Sequence, residues 1–129
     1  MMAAADIFGS VRARSLVVDS TGTFAGRVTA KDFLSLSDRR FKENIELISN
    51  AETILSSIRG VRFTWKDSRL ADVGCVAQEI MPLLPEAISG DFESGLHVAY
   101  DKLVPVLIEA LKHLSHRVEL LEKIMKPNE

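Results

Sequence analysis

Ser37 and Lys42 stand five residues apart in the stretch Ser37-Asp38-Arg39-Arg40-Phe41-Lys42-Glu43-Asn44. A hydroxyl and an amine so close in sequence invite a chemical reading. Serine becomes a nucleophile once a base takes its proton, and lysine is that base in the Ser–Lys variant of triad logic. The competing reading is structural, because a serine at a helix N-cap followed by charged residues is ordinary capping. On these residues alone, capping is the stronger of the two.

The amine's proton and the geometry set the terms for catalysis. A free lysine has a pKa of about 10.4, so near neutral pH only about one in a few thousand is unprotonated. Lowering that value to roughly 8 makes about one in ten competent. Burial or neighbouring cations do this. Arg39 and Arg40 are the nearby cations, unless they are solvated or paired with Asp38 and Glu43. Five residues along a straight helix turn about 140° around the axis, and on a strand they end roughly 16 Å away on the opposite face. The segment must therefore bend sharply, or neighbouring protomers must complete the pair.

Composition narrows the class of protein. A chain of 129 residues, 47% hydrophobic and 26% charged, reads as one modest folded domain with an extension. A net charge of −2 gives no reason to expect nucleic-acid binding. Cys75 is the one cysteine, so neither an internal disulfide nor a cysteine metal cage is expected. His113 and His116 are three apart on a helical pattern but off its apolar seam, which reads as a solvated face. No metal and no cofactor is expected. No apolar run reaches membrane-spanning length, so no membrane partner is expected, and Met1-Met2-Ala3-Ala4-Ala5 lacks the pattern of a signal peptide.

The elements that must position these residues differ on the two sides of the motif. Residues 6–36 alternate loosely, with Asp19-Ser20-Thr21-Gly22 as a turn signal, and predict two or three short strands. So few residues cannot bury a core alone, so they must pair with copies of themselves in a stalk or with the following domain. After the motif, Ser49 with Glu52 carries a capping-box pattern, and Ala51, Ile54, Leu55 and Ile58 recur at helical spacing up to Gly60. Val61–Lys66 predicts a half-buried strand and Val73–Ala77 a buried one, together a hairpin, with Phe63 and Trp65 in a core or interface. Gln78 to Leu84 predicts one or two helical turns, with Gln78 and Glu79 as caps. Ala87-Ile88 and Leu96–Tyr100 predict a second hairpin around Gly90–Gly95, after which Asp101 caps a long helix.

That helix is predicted from about Lys102 to Lys126. Leu107, Leu114 and Leu121 fall seven apart, interleaved by Leu111, Val118 and Met125, an a/d seam of about three heptads. Ala110 and Ile124 widen it on the flanks, which suits three or more strands or a helix packed partly on its own domain.

At this point residues 37–126 resemble a known family: the C-terminal intramolecular chaperone domain of phage tail fibres and endosialidase tailspikes, the self-cleaving S74 peptidases. The matching blocks are Ser37–Ile45, Phe63-Thr64-Trp65-Lys66, Val73–Glu79, Leu84-Pro85-Glu86 and Tyr100–Ala110. Cys75 is a mild departure, where a branched aliphatic residue is expected. The resemblance implies an α+β homotrimer: a short β-stranded stalk over 1–36, then a compact mixed domain of β-hairpins and short helices over 37–129 ending in a coiled-coil-like helix. It implies that Ser37 is the nucleophile, Lys42 its general base and Leu36–Ser37 the scissile bond; apart from the resemblance, Asp38, Arg39, Arg40, Asn44 and Gln78 are candidates for support. The implied partners are two further copies of the chain and the preceding fibre stalk, in a virion tail fibre precursor made in the host cytoplasm. Two other readings stay open: a non-cleaving trimerisation and folding module, and a receptor-binding fibre tip, for which few aromatics are available.

Overall fold

The apolar spacing after Asn50 folds as a helix, α1 (Ala51–Ser57), in a computed structural model that describes residues 8–126. The expectations for Met1–Ala5, for positions 6–7 of the stalk and for 127–129 lie outside the described residues. The fold is α+β, with two small antiparallel sheets and a long C-terminal helix. It divides into two compact units that meet at Phe41 and Lys42, within the motif segment.

Residues 8–36 of the first unit contain bends but neither helix nor strand, and every one of them is exposed. The strands expected there do not form within one chain. An extended segment becomes a strand only when its N–H and C=O groups find a ladder partner. The apolar side chains of Leu16, Phe24, Phe33 and Leu34 have no core beneath them.

The second unit is built on two hairpins. In the first, β1 (Val61–Thr64) pairs with β2 (Ala71–Gly74) in the register Val61↔Gly74 to Thr64↔Ala71. β2 begins two residues before the expected Val73 and is exposed at Ala71, Asp72 and Val73, not buried, because a sheet of two strands leaves a face open to water. The loop between them is closed by hydrogen bonds from Trp65 N to Leu70 O and from Arg69 N to Trp65 O, both 2.9 Å. A short helix, α2 (Ala77–Ile80), follows and ends before Pro82 and Pro85. In the second hairpin, β3 (Ile88–Asp91) pairs with β4 (Gly95–Val98). Its turn is held by Asp91 Oδ1, which accepts from the backbone N–H groups of Ser94 (2.7 Å) and Glu93 (2.9 Å). Those bonds, Ser94 first, hold the Asp91 carboxyl below its ordinary pKa. Gly90, at φ +87°, could not carry a side chain there, because a β-carbon would run into the backbone carbonyl oxygen of Gly95.

The long helix α3 (Leu103–Met125) starts and stops within a residue of its expected bounds. Pro105 falls in its first turn, where no intrahelical N–H partner is lost. α3 packs on α1, and Ala51, Ile54, Val106 and Ala110 form the buried cluster, joined by Ile48, Leu55, Ile58, Leu83 and Leu84. Burial of Ile54, Ile80 and Val106 contributes roughly 1.5–3 kcal/mol each. Only seven hydrophobic residues among those described are buried, a thin core for the chain that surrounds it.

Three caps expected from sequence do not form. Asn50 occupies the N-cap of α1 without a side-chain bond, and Glu52 reaches instead to Arg117 on α3 at 3.3 Å. An ion pair to another helix outcompetes the local box. Gln78 and Glu79 lie inside α2, whose N-cap is Val76. Asp101 sits within a 3-10 turn (Tyr100–Lys102), and the α3 N-cap is Lys102 with no side-chain bond.

Candidate functional site

Two features of the chain offer function: the motif segment and the outer face of α3. The motif is best built outward from Asp38. Its Oδ1 accepts the backbone N–H of Arg40 at 2.8 Å, which starts a 3-10 turn over Arg39–Phe41. The turn is closed by Phe41 N donating to Asp38 O at 3.2 Å. The Arg40 side chain then folds back on the same carboxylate, with Nη2 to Oδ2 at 2.8 Å and Nε 3.2 Å from both oxygens. The guanidinium also stands 6.0 Å from the centroid of the Phe41 ring. Arg40 holds the Asp38 carboxyl below its ordinary pKa, and Asp38 in turn raises that of Arg40.

Leu36 and Ser37 are exposed immediately before this turn, and Arg39 is exposed within it. Lys42 is exposed and opens the second unit. Asn44 follows at φ +51°, a left-handed conformation that asparagine tolerates better than most residues. Residues 39–41 are therefore neither α-helix nor strand, and the two straight geometries considered for the segment do not apply to them. Arg40 has its charge compensated locally by Asp38.

Gln78 is exposed and lines a cleft of about 550 Å³ between the two hairpins, together with Phe63, Trp65, Cys75 and Tyr100. Phe63 and Trp65 meet edge to face at 5.0 Å, and Trp65 Nε1 donates to Asp72 Oδ2 at 3.0 Å. Half of Trp65 remains exposed. Glu79 is committed to Arg59, whose Nε donates to Oε1 at 2.9 Å, a pair that ties the end of α1 to α2. That hydrogen bond lowers the Glu79 pKa and raises that of Arg59.

Tyr100 fixes the entry to the long helix, as its place in the sequence suggests, through a bond that the sequence does not name. Its Oη accepts the backbone N–H of Cys75 at 2.8 Å and so pins the start of α3 to the end of β2. The signal available was Gly74, which leaves room for that oxygen.

α3 carries two apolar faces. Val106 and Ala110 face α1 and are buried, and His113, one turn on, is half-buried rather than solvated. His116 is exposed, with Nδ1 4.0 Å from Glu119. The a/d seam of Leu107, Leu111, Leu114, Val118, Leu121 and Met125 lies outside that packing, 45% (Val118) to 80% (Met125) exposed. Ala110 flanks the seam and is also part of the packed face, so α3 packs partly on its own domain, one of the two alternatives its apolar flanks suggested. Contiguous exposed apolar surface of this kind marks an interaction site. Where α1 borders the seam, Leu55, Leu107, Leu111 and Leu114 line a groove of about 370 Å³ with the Glu52–Arg117 ion pair at its side. Among the described residues no helix is long and apolar enough to cross a membrane.

Residues 37–89 match the family model Peptidase_S74, described as the chaperone of endosialidase. The match bears out the S74 resemblance read from the motifs over residues 37–89, and it does not extend to the Tyr100–Ala110 block. The match begins at Ser37 and takes in both strands of the first hairpin, α2 and the start of β3. No curated protein matches the chain.

Proposed function

We propose, from a chain that carries an S74 chaperone-of-endosialidase segment, that it is a folding helper which assembles as a homotrimer and then cuts itself at Leu36–Ser37. The observation that carries this reading is the family match, which opens on the serine that the cut requires. The exposed α3 seam supports the trimer, since three such helices would bury in a coiled coil what one leaves in water. The segment over 1–36 is the end of the tail fibre stalk and the folding client, and its exposed apolar side chains among residues 8–36 support that reading. The precursor is made in the host cytoplasm and becomes part of the virion tail.

The chemistry is single-turnover acyl transfer. Ser37 Oγ attacks the carbonyl carbon of Leu36 while its proton passes to Lys42 Nζ. The Leu36–Ser37 C–N bond breaks, the freed Ser37 amine takes a proton from Lys42, and Leu36 is left as an ester on Oγ. Water hydrolyses the ester to a Leu36 carboxylate and a free Ser37 hydroxyl. Helping the stalk to fold and then leaving removes the route back, so the product keeps its shape because unfolding is slow.

Denaturing electrophoresis of fresh protein beside Ser37→Ala and Lys42→Ala tests this. Fragments of about 4 and 10 kDa from the 14.3 kDa wild-type chain, absent in both variants, are the expected result. Full-length wild type leaves the non-cleaving folding module as the answer.

A further inference from the structure

The Ser–Lys chemistry assigns no work to the carboxylate next to the nucleophile, and the turn it builds is the best-defined polar arrangement in the first unit. We propose that Asp38 is a positioning residue for the cut: by clamping Arg40 through backbone and side chain, it holds the Ser37 hydroxyl on the Leu36 carbonyl. The inference rests on the self-cleavage reading above and deepens it.

The argument begins with the attack itself. Ser37 Oγ and the Leu36 carbonyl carbon are joined through Ser37 N, Cα and Cβ, so attack closes a five-membered ring within two residues. Proximity is therefore covalent, and what decides the rate is the fraction of time Ser37 spends with its backbone and χ1 set for closure. The backbone of Ser37 is anchored on its C-terminal side by residue 38. There the Asp38 carboxylate takes the Arg40 N–H at 2.8 Å and Nη2 at 2.8 Å, and Phe41 N returns to Asp38 O at 3.2 Å. Asp38 is half-buried while Ser37, Arg39 and Arg40 around it are exposed. The clamp uses residues 38–41 only, so it is complete in a single chain before any assembly. An exposed ion pair of this kind adds little to folding stability; what it fixes is direction. Arg40, compensated by Asp38, acts here as a brace.

The test uses the full chain and three readouts: single-turnover cleavage rate across pH, melting temperature and oligomeric state, for wild type, Asp38→Ala and Asp38→Asn. Asp38→Ala removes every bond to Arg40 and is expected to slow cleavage on the order of tenfold to a hundredfold. Asp38→Asn retains an oxygen for the Arg40 N–H and is expected to fall between the two. Melting temperature and oligomeric state stay at wild-type values in both, and the loss persists at the high-pH plateau, where the base is deprotonated in every variant, because the clamp orients the nucleophile. Cleavage of Asp38→Ala at the wild-type rate overturns the positioning role alone. So does a rate that falls only in step with lost assembly, or a loss that vanishes at the high-pH plateau, which makes Asp38 an electrostatic partner of the base. Wild type that stays uncut overturns the self-cleavage reading, and this inference with it.

Discussion

The phenolic oxygen of Tyr100 sits 2.6 Å from the point where a β-carbon on Gly74 would stand. Glycine at 74 and tyrosine at 100 are therefore one device, which lets Tyr100 Oη reach Cys75 N–H and fasten the start of α3 to β2. Gly74→Ala is expected to cost about 1–3 kcal/mol by displacing the ring, and Tyr100→Phe about 0.5–1.5 kcal/mol by losing the bond. In the double variant the new methyl meets only ordinary contacts, with Phe63 Cε1 at 3.5 Å and the ring Cζ at 3.6 Å. The two losses are then less than additive in urea melts. Simple additivity would mean the oxygen and the missing β-carbon do not share that space.

In the proposed trimer the two faces of α3 separate folding from assembly. Ile54, 2% exposed against α3, is expected to lose about 2–5 kcal/mol on change to alanine, read as a lower urea midpoint. Leu114→Asp with Leu121→Asp leaves that core alone and is expected to convert trimers to monomers in sedimentation equilibrium, with near-native circular dichroism. Trimers that survive both charges would place the oligomer contact elsewhere.

The Arg59–Glu79 pair gives a pH signature. The Glu79 pKa is lowered from its ordinary 4.5, first by the hydrogen bond from Arg59. A depressed carboxyl contributes stability that is present above the unfolded pKa and lost as pH falls through the folded one. The melting-temperature gap between wild type and Glu79→Gln is therefore expected to be widest at neutral pH and to close below about pH 4.5. A gap that widens on acidification would contradict the assignment.

Whether Ser37 and Lys42 act within one chain or across protomers is answered by mixing. Ser37→Ala chains are co-folded with Lys42→Ala chains, and the Lys42→Ala chain alone keeps a nucleophile to be cut. Recovery of its fragments in mixed trimers places the base on a neighbour, and their absence places it on the same chain.

Much of the second unit was legible in the sequence, because its signals are local. Both hairpins, the helix after Asn50 and the bounds of α3 follow from alternation, helical spacing and proline positions. What was not legible depends on residues far apart. The capping box at Ser49 was lost to Arg117, and the cap assigned to Glu79 was lost to Arg59, partners that no local rule can see. The heptad pattern located the α3 seam with Ala110 on its flank but left open what that flank packs on, because a small residue looks alike beside a seam and under a crossing helix. The stalk strands were read from alternation in 6–36, yet alternation says nothing of the partner strand, and one chain supplies none. At the motif, spacing named Ser37 and Lys42, while the bend that Asp38 and Arg40 impose needed coordinates.

Intact-mass measurement of assembled wild-type protein, followed over prolonged incubation beside Ser37→Ala, bears most directly on self-cleavage. The account predicts that the 14.3 kDa species gives way to two products, one ending at Leu36 and one beginning at Ser37, while the alanine variant keeps its full mass. Wild-type trimers that hold the uncut mass throughout, or that are cut at another bond, would contradict it.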